Sequence, residues 1–152
     1  MKKHHGCDYK ICFAGNPNVG KTSIFNNLTG MHQHTGNWPG KTVANAYGIY
    51  KYNDKNFLLV DLPGTYSLMS NSTEEEIARD YICSGDSDLC VVVTDATSLE
   101  RNLNLVFQVL EMTPNVVVCV NLLDEAKKKG INVDLEKLSK YLGVPVVRYY
   151  CK

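Results

Sequence analysis

Gly15-Asn16-Pro17-Asn18-Val19-Gly20-Lys21-Thr22 spells G-x-x-x-x-G-K-[ST], and the residues on either side of it decide the fold. The apolar run Ile11-Cys12-Phe13-Ala14 precedes it and the helix-like Ser23-Ile24-Phe25-Asn26-Asn27-Leu28 follows. A strand before and a helix after is the context that separates a phosphate-binding loop from a chance match. Gly15 and Gly20 allow a tight curl in which successive backbone N–H groups face phosphate oxygens, with the positive end of the helix dipole behind them. Lys21 then reaches the β- and γ-phosphates and the Thr22 hydroxyl is placed for Mg²⁺. The candidate nucleotide contacts are Gly15, Asn16, Pro17, Asn18, Val19, Gly20, Lys21, Thr22 and Ser23.

Working outward, apolar runs alternate with helical patterns, the mark of an α/β fold with a mostly parallel sheet covered on both faces. Six strands are expected, over roughly 9–14, 44–52, 56–61, 88–95, 115–121 and 144–150, the second and third joined as a hairpin through Asn53-Asp54-Lys55. Helices are expected over about 21–29, 74–83, 99–112 and 134–142, with a short one near 123–129. Thr73-x-x-Glu76 and Thr97-x-x-Glu100 read as capping boxes, and Gly30 and Gly143 stand where helices end. In the third helix Leu99, Leu103, Val106, Phe107 and Leu110 form one core-facing stripe. No helix follows the last strand before Lys152, so a face carrying Val144, Val146 and Tyr150 is expected to lack its cover, as in a fragment of a longer protein.

The 152 residues suit a single domain. Lys+Arg and Asp+Glu balance at 16 each, so no global field favours nucleic acid or anionic lipid, and Lys127-Lys128-Lys129 reads as a solvated helix end. Apolar runs such as Leu89 to Val93 fall far short of the ~20 residues of a membrane span, and Lys2-Lys3-His4-His5 opens no signal peptide, so a cytoplasmic domain is expected. The six cysteines include no C-x-x-C pair; Cys12, Cys90 and Cys119 fall in strand-like runs and read as reduced core thiols. His4, His5 and Cys7, and His32 with His34, read as terminus and solvated loop before metal ligands.

Three further segments complete a nucleotide site. Asp61 ends the run Phe57-Leu58-Leu59-Val60 and Gly64 follows three residues later, so the carboxylate is placed to hold Mg²⁺ opposite Thr22 and the Gly64 N–H to sense a γ-phosphate. Asn121-Leu122-Leu123-Asp124 follows Val116 to Val120 in the same way; the Asp124 carboxylate can accept from both N–H groups of the guanine edge, a donor pair that adenine lacks. The usual spelling is N-K-x-D, and Leu122 replaces the lysine. Residues 30–43 are too polar and glycine-broken for a core element and read as a functional loop. Thr42 is the choice for the Mg²⁺-ligating threonine, Thr35 the alternative, and the segment is expected to order on GTP and loosen on GDP.

In order and spacing these pieces resemble the GTPase domain of the bacterial ferrous iron transport protein B family, within the broader TrmE-Era-Obg class. Gly36-Asn37-Trp38-Pro39-Gly40, Asp61-Leu62-Pro63-Gly64-Thr65-Tyr66-Ser67-Leu68 and Glu76-Ile77-Ala78-Arg79-Asp80-Tyr81 carry the resemblance beside the phosphate loop. Asp95-Ala96-Thr97-Ser98-Leu99-Glu100-Arg101-Asn102-Leu103, Asn121 to Ala126 and Leu142 to Val147 extend it over almost the whole chain. The resemblance implies a Ras-like domain, GTP and GDP as ligands, Mg²⁺, and slow hydrolysis stimulated by K⁺. It further implies attachment to a membrane-embedded region that passes Fe²⁺ at the bacterial inner membrane, and it leaves a homo-oligomer open. By the same resemblance Asn18 helps to hold K⁺ against the phosphates, with backbone carbonyls of Asn37 and Trp38 completing the site. The expected catalytic residues are thus Asn18, Lys21, Thr42 and Gly64. Thr65 stands where related enzymes carry a water-positioning glutamine, and its reach is too short for that role. Where the family has a base-contacting S-A pair this chain has Tyr150-Cys151-Lys152, with the Cys151 N–H left to face guanine O6. Two other classes stand beside the GTPase reading: a nucleotide-dependent binding module with negligible turnover, favoured by Thr65, and an RNA-associated GTPase, disfavoured by the balanced charge.

Overall fold

A computed structural model describes residues 6–150 of the chain. Its elements run β1 (Tyr9–Gly15), α1 (Lys21–Thr29), β2 (Gln33–Asn37), β3 (Ala44–Tyr52), β4 (Lys55–Asp61), α2 (Thr73–Ser84), β5 (Leu89–Asp95), α3 (Leu99–Met112), β6 (Val116–Asn121), α4 (Leu123–Lys128), α5 (Leu135–Leu142) and β7 (Val146–Arg148). The sheet has seven strands in the order β2-β3-β4-β1-β5-β6-β7, not six. Pairing is parallel from β4 through β7 and antiparallel for β2-β3 and β3-β4. The additional strand is β2, inside the segment read as a loop. It is short and mostly exposed, and it is held by its backbone ladder to β3 (Gln33 opposite Gly48, Asn37 opposite Ala44), so neither hydrophobic alternation nor β-propensity marks it. The expected β3–β4 hairpin forms with Asn53 and Asp54 both at positive φ (47° and 60°), the twist a two-residue turn requires.

Alternation along the parallel strands sends neighbouring residues to opposite faces. Phe13, Leu59, Val93 and Cys119 meet Ile24 and Phe25 of α1 on one face. Cys12, Ala14, Leu58, Val60, Val92 and Val118 meet Ala78 and Ile82 of α2 and Leu105, Val106 and Val109 of α3 on the other. Cys12 and Cys90 lie opposite each other on β1 and β5 as buried free thiols. The α3 stripe is rotated from expectation: Asn102, Leu105, Val106 and Val109 are buried, while Phe107 is 45% exposed. The reason is the Asn102 carboxamide, which accepts from the Asp95 N–H (2.9 Å) and donates to Ser98 O (2.9 Å), fixing the helix against the end of β5.

Both capping boxes also differ. Ser72, not Thr73, caps α2 by accepting from the Glu75 N–H (3.2 Å), and Glu75 reaches back to the Ser70 N–H (2.9 Å). Before α3, Asp95 captures the Thr97 N–H (2.8 Å) in a short 3₁₀ turn, so Thr97 is a recipient and not a cap. Gly30 and Gly143 end α1 and α5 in left-handed conformation as expected. On β7 the parity is opposite to expectation: Val144 and Val146 pack on the α2–α3 side of the core, while Val147, opposite Cys119 on the α1 side, is 46% exposed, and Tyr150 is exposed as expected.

Burial pushes the Cys119 thiol up to about 11. Its folded-state value lies above the ~8.5 of an unfolded cysteine, so its contribution to stability is complete below that pH and is lost as pH rises toward 11. Urea unfolding from neutral to strongly alkaline pH should show a loss of stability in wild type that Cys119→Val reduces; an identical pH slope in both would refute the buried neutral thiol.

Candidate functional site

The parallel strands bring their C-terminal ends to one edge, and β1 lies where strand order reverses, the usual ligand crevice of an open α/β sheet. Phe13 is opposite Asp61, and Asp95 is opposite Asn121, so residues up to 108 positions apart in sequence share this edge. The loop out of β1 is pinned from the side: Leu62 N–H donates to Phe13 O (3.0 Å) and Thr65 N–H to Gly15 O (3.0 Å). The Lys21 side chain is only 6% exposed; its ammonium donates to Leu62 O (2.7 Å) and forms a short ion pair with Asp61 Oδ1. Thr22 Oγ1 donates to Asp61 Oδ2 (3.3 Å), so two hard oxygens stand side by side, a donor set suited to Mg²⁺.

A cleft of about 380 Å³ lies over this loop, bordered by Asn16, Pro17, Asn18, Gly20 to Ser23, and Gly64. Three features aim at it. The first turn of α1 has no side-chain cap, leaving its N–H groups for an anion. Asn16 is 2% exposed, yet neither its carboxamide O nor its N has a partner, and a buried unpaired polar group costs about 1–3 kcal/mol unless something else satisfies it. Asn18 stands exposed at positive φ (65°) at the cleft border. Gly64 packs on Pro17, where an added Cβ would come within 3.3 Å of the Pro17 Cα. Thr65 is 5% exposed with its N–H committed to Gly15, which makes it a packing residue of the loop.

Asn121 joins the phosphate loop to the second half of the site. Its Nδ2 donates to Val19 O (3.0 Å), and it approaches so closely that a Cβ on Gly20, at φ 87°, would lie 2.4 Å from Nδ2. Beyond it Leu122 adopts a left-handed conformation (φ 61°), which turns the chain into α4 and leaves Asp124 exposed in the first turn. A pocket of about 210 Å³ is bordered by Asn121, Asp124, Arg148, Tyr149 and Tyr150. Arg148 and Tyr149 are absent from the expected site. Tyr149 N–H donates to Val120 O (3.1 Å) and its hydroxyl accepts from Asn27 Nδ2 (2.7 Å), tying α1 to the strand end. Position alone, at the end of a strand whose neighbour ends in Asn121, could have signalled them. Cys151 lies outside the described residues, as do His4 and His5.

The segment from 30 to 43 is not gathered at the cleft. Asn37 and Thr42 are exposed and, like Trp38, do not border it. Trp38 N–H donates to Val43 O (2.9 Å), and the Trp38 indole packs edge-on against Tyr81 of α2 at 5.6 Å between ring centroids. His34 stacks on Tyr47 within the β2–β3 ladder, and among the described residues no group of three or more His, Cys, Asp and Glu could hold a metal.

A family model described as ferrous iron transport protein B matches residues 9–152. The chain belongs to the ferrous iron transport protein B family. It is 50% identical over 141 residues to the Fe(2+) transporter FeoB of Salmonella typhimurium, covering 90% of this chain and 18% of that protein. The chain thus spans about a fifth of the length of the curated relatives it matches. Among solved structures it resembles the G domain of the T. maritima FeoB iron transporter (TM-score 0.87, 47% identity, 92% of this chain and 86% of that one). It resembles equally the cytosolic domain of the same transporter in a GDP form (TM-score 0.87, 48% identity, 92% and 55%). The FeoB G-domain of Methanococcus jannaschii aligns with a TM-score of 0.79 at 49% identity, covering 92% of this chain and 84% of that one. The fold of this family member is therefore that of a FeoB G domain, and among the described residues no helix is long and apolar enough to cross a membrane.

The Asn121 clasp yields a stability test. Gly20→Ala places a Cβ at φ 87° against Asn121 and should cost about 1–3 kcal/mol in urea unfolding. Gly36→Ala, with no atom within 4 Å of the added Cβ, should stay within about 0.5 kcal/mol. Equal effects would mean that the clasp does not constrain the loop.

Proposed function

We propose that residues 1–152 form the GTP-binding switch of a longer ferrous iron transporter, converting GTP and water slowly to GDP and phosphate. The observation that carries this reading is the cleft itself: a buried ammonium, an unpaired buried carboxamide and an uncapped helix N-terminus converge where a polyphosphate would sit. Gly15 to Ser23 would wrap the phosphates, and Lys21 would exchange its contact with Asp61 for the β- and γ-oxygens. Thr22 and Asp61 would hold Mg²⁺, with Thr42 joining them; when bound, the ion neutralises charge on the phosphate oxygens. Gly64 N–H would report the γ-phosphate, and Asp124 would accept from the guanine edge, with Tyr150 and Cys151 closing the base site. The domain would work on the cytoplasmic side of the inner membrane, its switch movements read by the membrane-embedded part.

The commitment of Thr65 to packing supports a slow intrinsic rate, and it is equally the observation that favours a binding module with negligible turnover. Asn18 is the candidate for K⁺: a neutral carboxamide oxygen with the backbone carbonyls of Asn37 and Trp38 suits a monovalent cation. Phosphate release measured in K⁺ and in Na⁺ should be several-fold faster in K⁺ for wild type, and Asn18→Ala should erase the difference. Equal rates in both salts would refute the K⁺ role, and no phosphate in a single-turnover assay would leave the binding module as the function.

A further inference from the structure

Two segments of the family resemblance that do not border the phosphate cleft, Gly36 to Gly40 and Glu76 to Tyr81, meet each other on the α2–α3 face of the sheet. The Trp38 indole sits edge-on to Tyr81, and the Lys10 ammonium lies 5.3 Å from the Tyr81 ring centroid on the opposite strand end from the cleft. Asn37 pairs with Ala44, two residues before the Ala46 that faces Asp61, so the backbone of this segment lies at the Asp61 end of the sheet while the Trp38 indole is held on Tyr81. Just after the first segment, Lys41 forms an exposed ion pair with Glu76 at 3.9 Å. The arrangement is poised: Trp38 Nε1 and Asn45 Oδ1 border the same cavity of about 270 Å³, and both are buried without a hydrogen-bond partner. Aromatic contact holds Trp38 in place, and two unpaired polar atoms oppose it.

We propose that Tyr81 is a positioning residue for the segment 36–43, retaining Trp38 on α2 so that Thr42 and the Asn37-Trp38 backbone reach the nucleotide only when that contact breaks. This rests on the GTP-switch reading above. GTP binding then works against the Trp38–Tyr81 contact, whereas GDP, which makes no demand on Thr42, leaves it intact. Weakening the contact favours the GTP-bound arrangement without touching a residue of the phosphate cleft.

Trp38 is the single tryptophan of the chain, so its emission reports the contact directly. Acrylamide quenching of Trp38 and the affinities for Mg·GDP and a non-hydrolysable Mg·GTP analogue are to be measured in wild type, Tyr81→Phe, Tyr81→Leu and Tyr81→Ala. Tyr81→Leu keeps apolar volume where Tyr81→Ala fails to fold. The expected result is low quenching in wild type with GDP, increased quenching with the GTP analogue, and high quenching in Tyr81→Leu without nucleotide. The affinity ratio of GTP analogue to GDP should rise roughly threefold to tenfold in Tyr81→Leu, and Tyr81→Phe should behave as wild type. Wild-type quenching in Tyr81→Leu, or a freed Trp38 with an unchanged ratio, would overturn the proposal. Absence of guanine-nucleotide binding in wild type would instead overturn the switch reading and the coupling with it, while quenching in Tyr81→Leu would still report the contact.

Discussion

The ammonium of Lys21 is almost wholly removed from water, and the surrounding structure depends on how that charge is met. A buried cation is tolerated only with a counter-charge and hydrogen bonds, and both come from the next strand: Asp61 ends β4 and Leu62 O follows it. That requires β4 to lie directly beside β1 in parallel register, with the β2–β3 excursion placed outside it at the sheet edge. The same register brings β5 to the other side of β1 and β6 beyond it, so that Asn121 arrives within hydrogen-bonding distance of Val19. The loop after β1 and the end of β6 are thereby joined through a single carboxamide, that of Asn121.

The polarity of this unit explains what the two glycines do. Gly20 leaves room for Asn121, and Gly64 lets the turn after β4 lie on Pro17; in both places the neighbour is a residue of the candidate site and not of the core. Thr65, by contrast, is drawn into the packing through Gly15 O, so the position after Gly64 serves the architecture of the loop.

Those parts that rest on local chemistry were legible in the chain itself. The phosphate loop, Asp61 and Asn121 all sit at ends of apolar runs, and the Asn53-Asp54 turn declares its hairpin. What was not legible depends on tertiary partners. β2 is a strand only because β3 offers a free ladder; α3 is rotated because Asn102 is needed at Asp95; β7 shows Val147 and not Val146 to solvent because its register with β6 sets the parity. Both capping boxes shifted because a closer acceptor, Ser72 or Asp95, outcompeted the expected threonine. Arg148 and Tyr149 carry no motif, and their place beside Asp124 follows from strand order alone.

The proposed function joins a phosphate grip at Lys21 and a base reader at Asp124 in one guanine-nucleotide site. Calorimetric titration of the chain with Mg·GDP and Mg·ADP tests it most directly, since the two ligands share the diphosphate and differ at the edge that Asp124 reads. GDP is expected to bind at least about a hundredfold more tightly than ADP, with Asp124→Ala removing most of that preference while diphosphate binding persists. Equal affinity for the two nucleotides in wild type would contradict it.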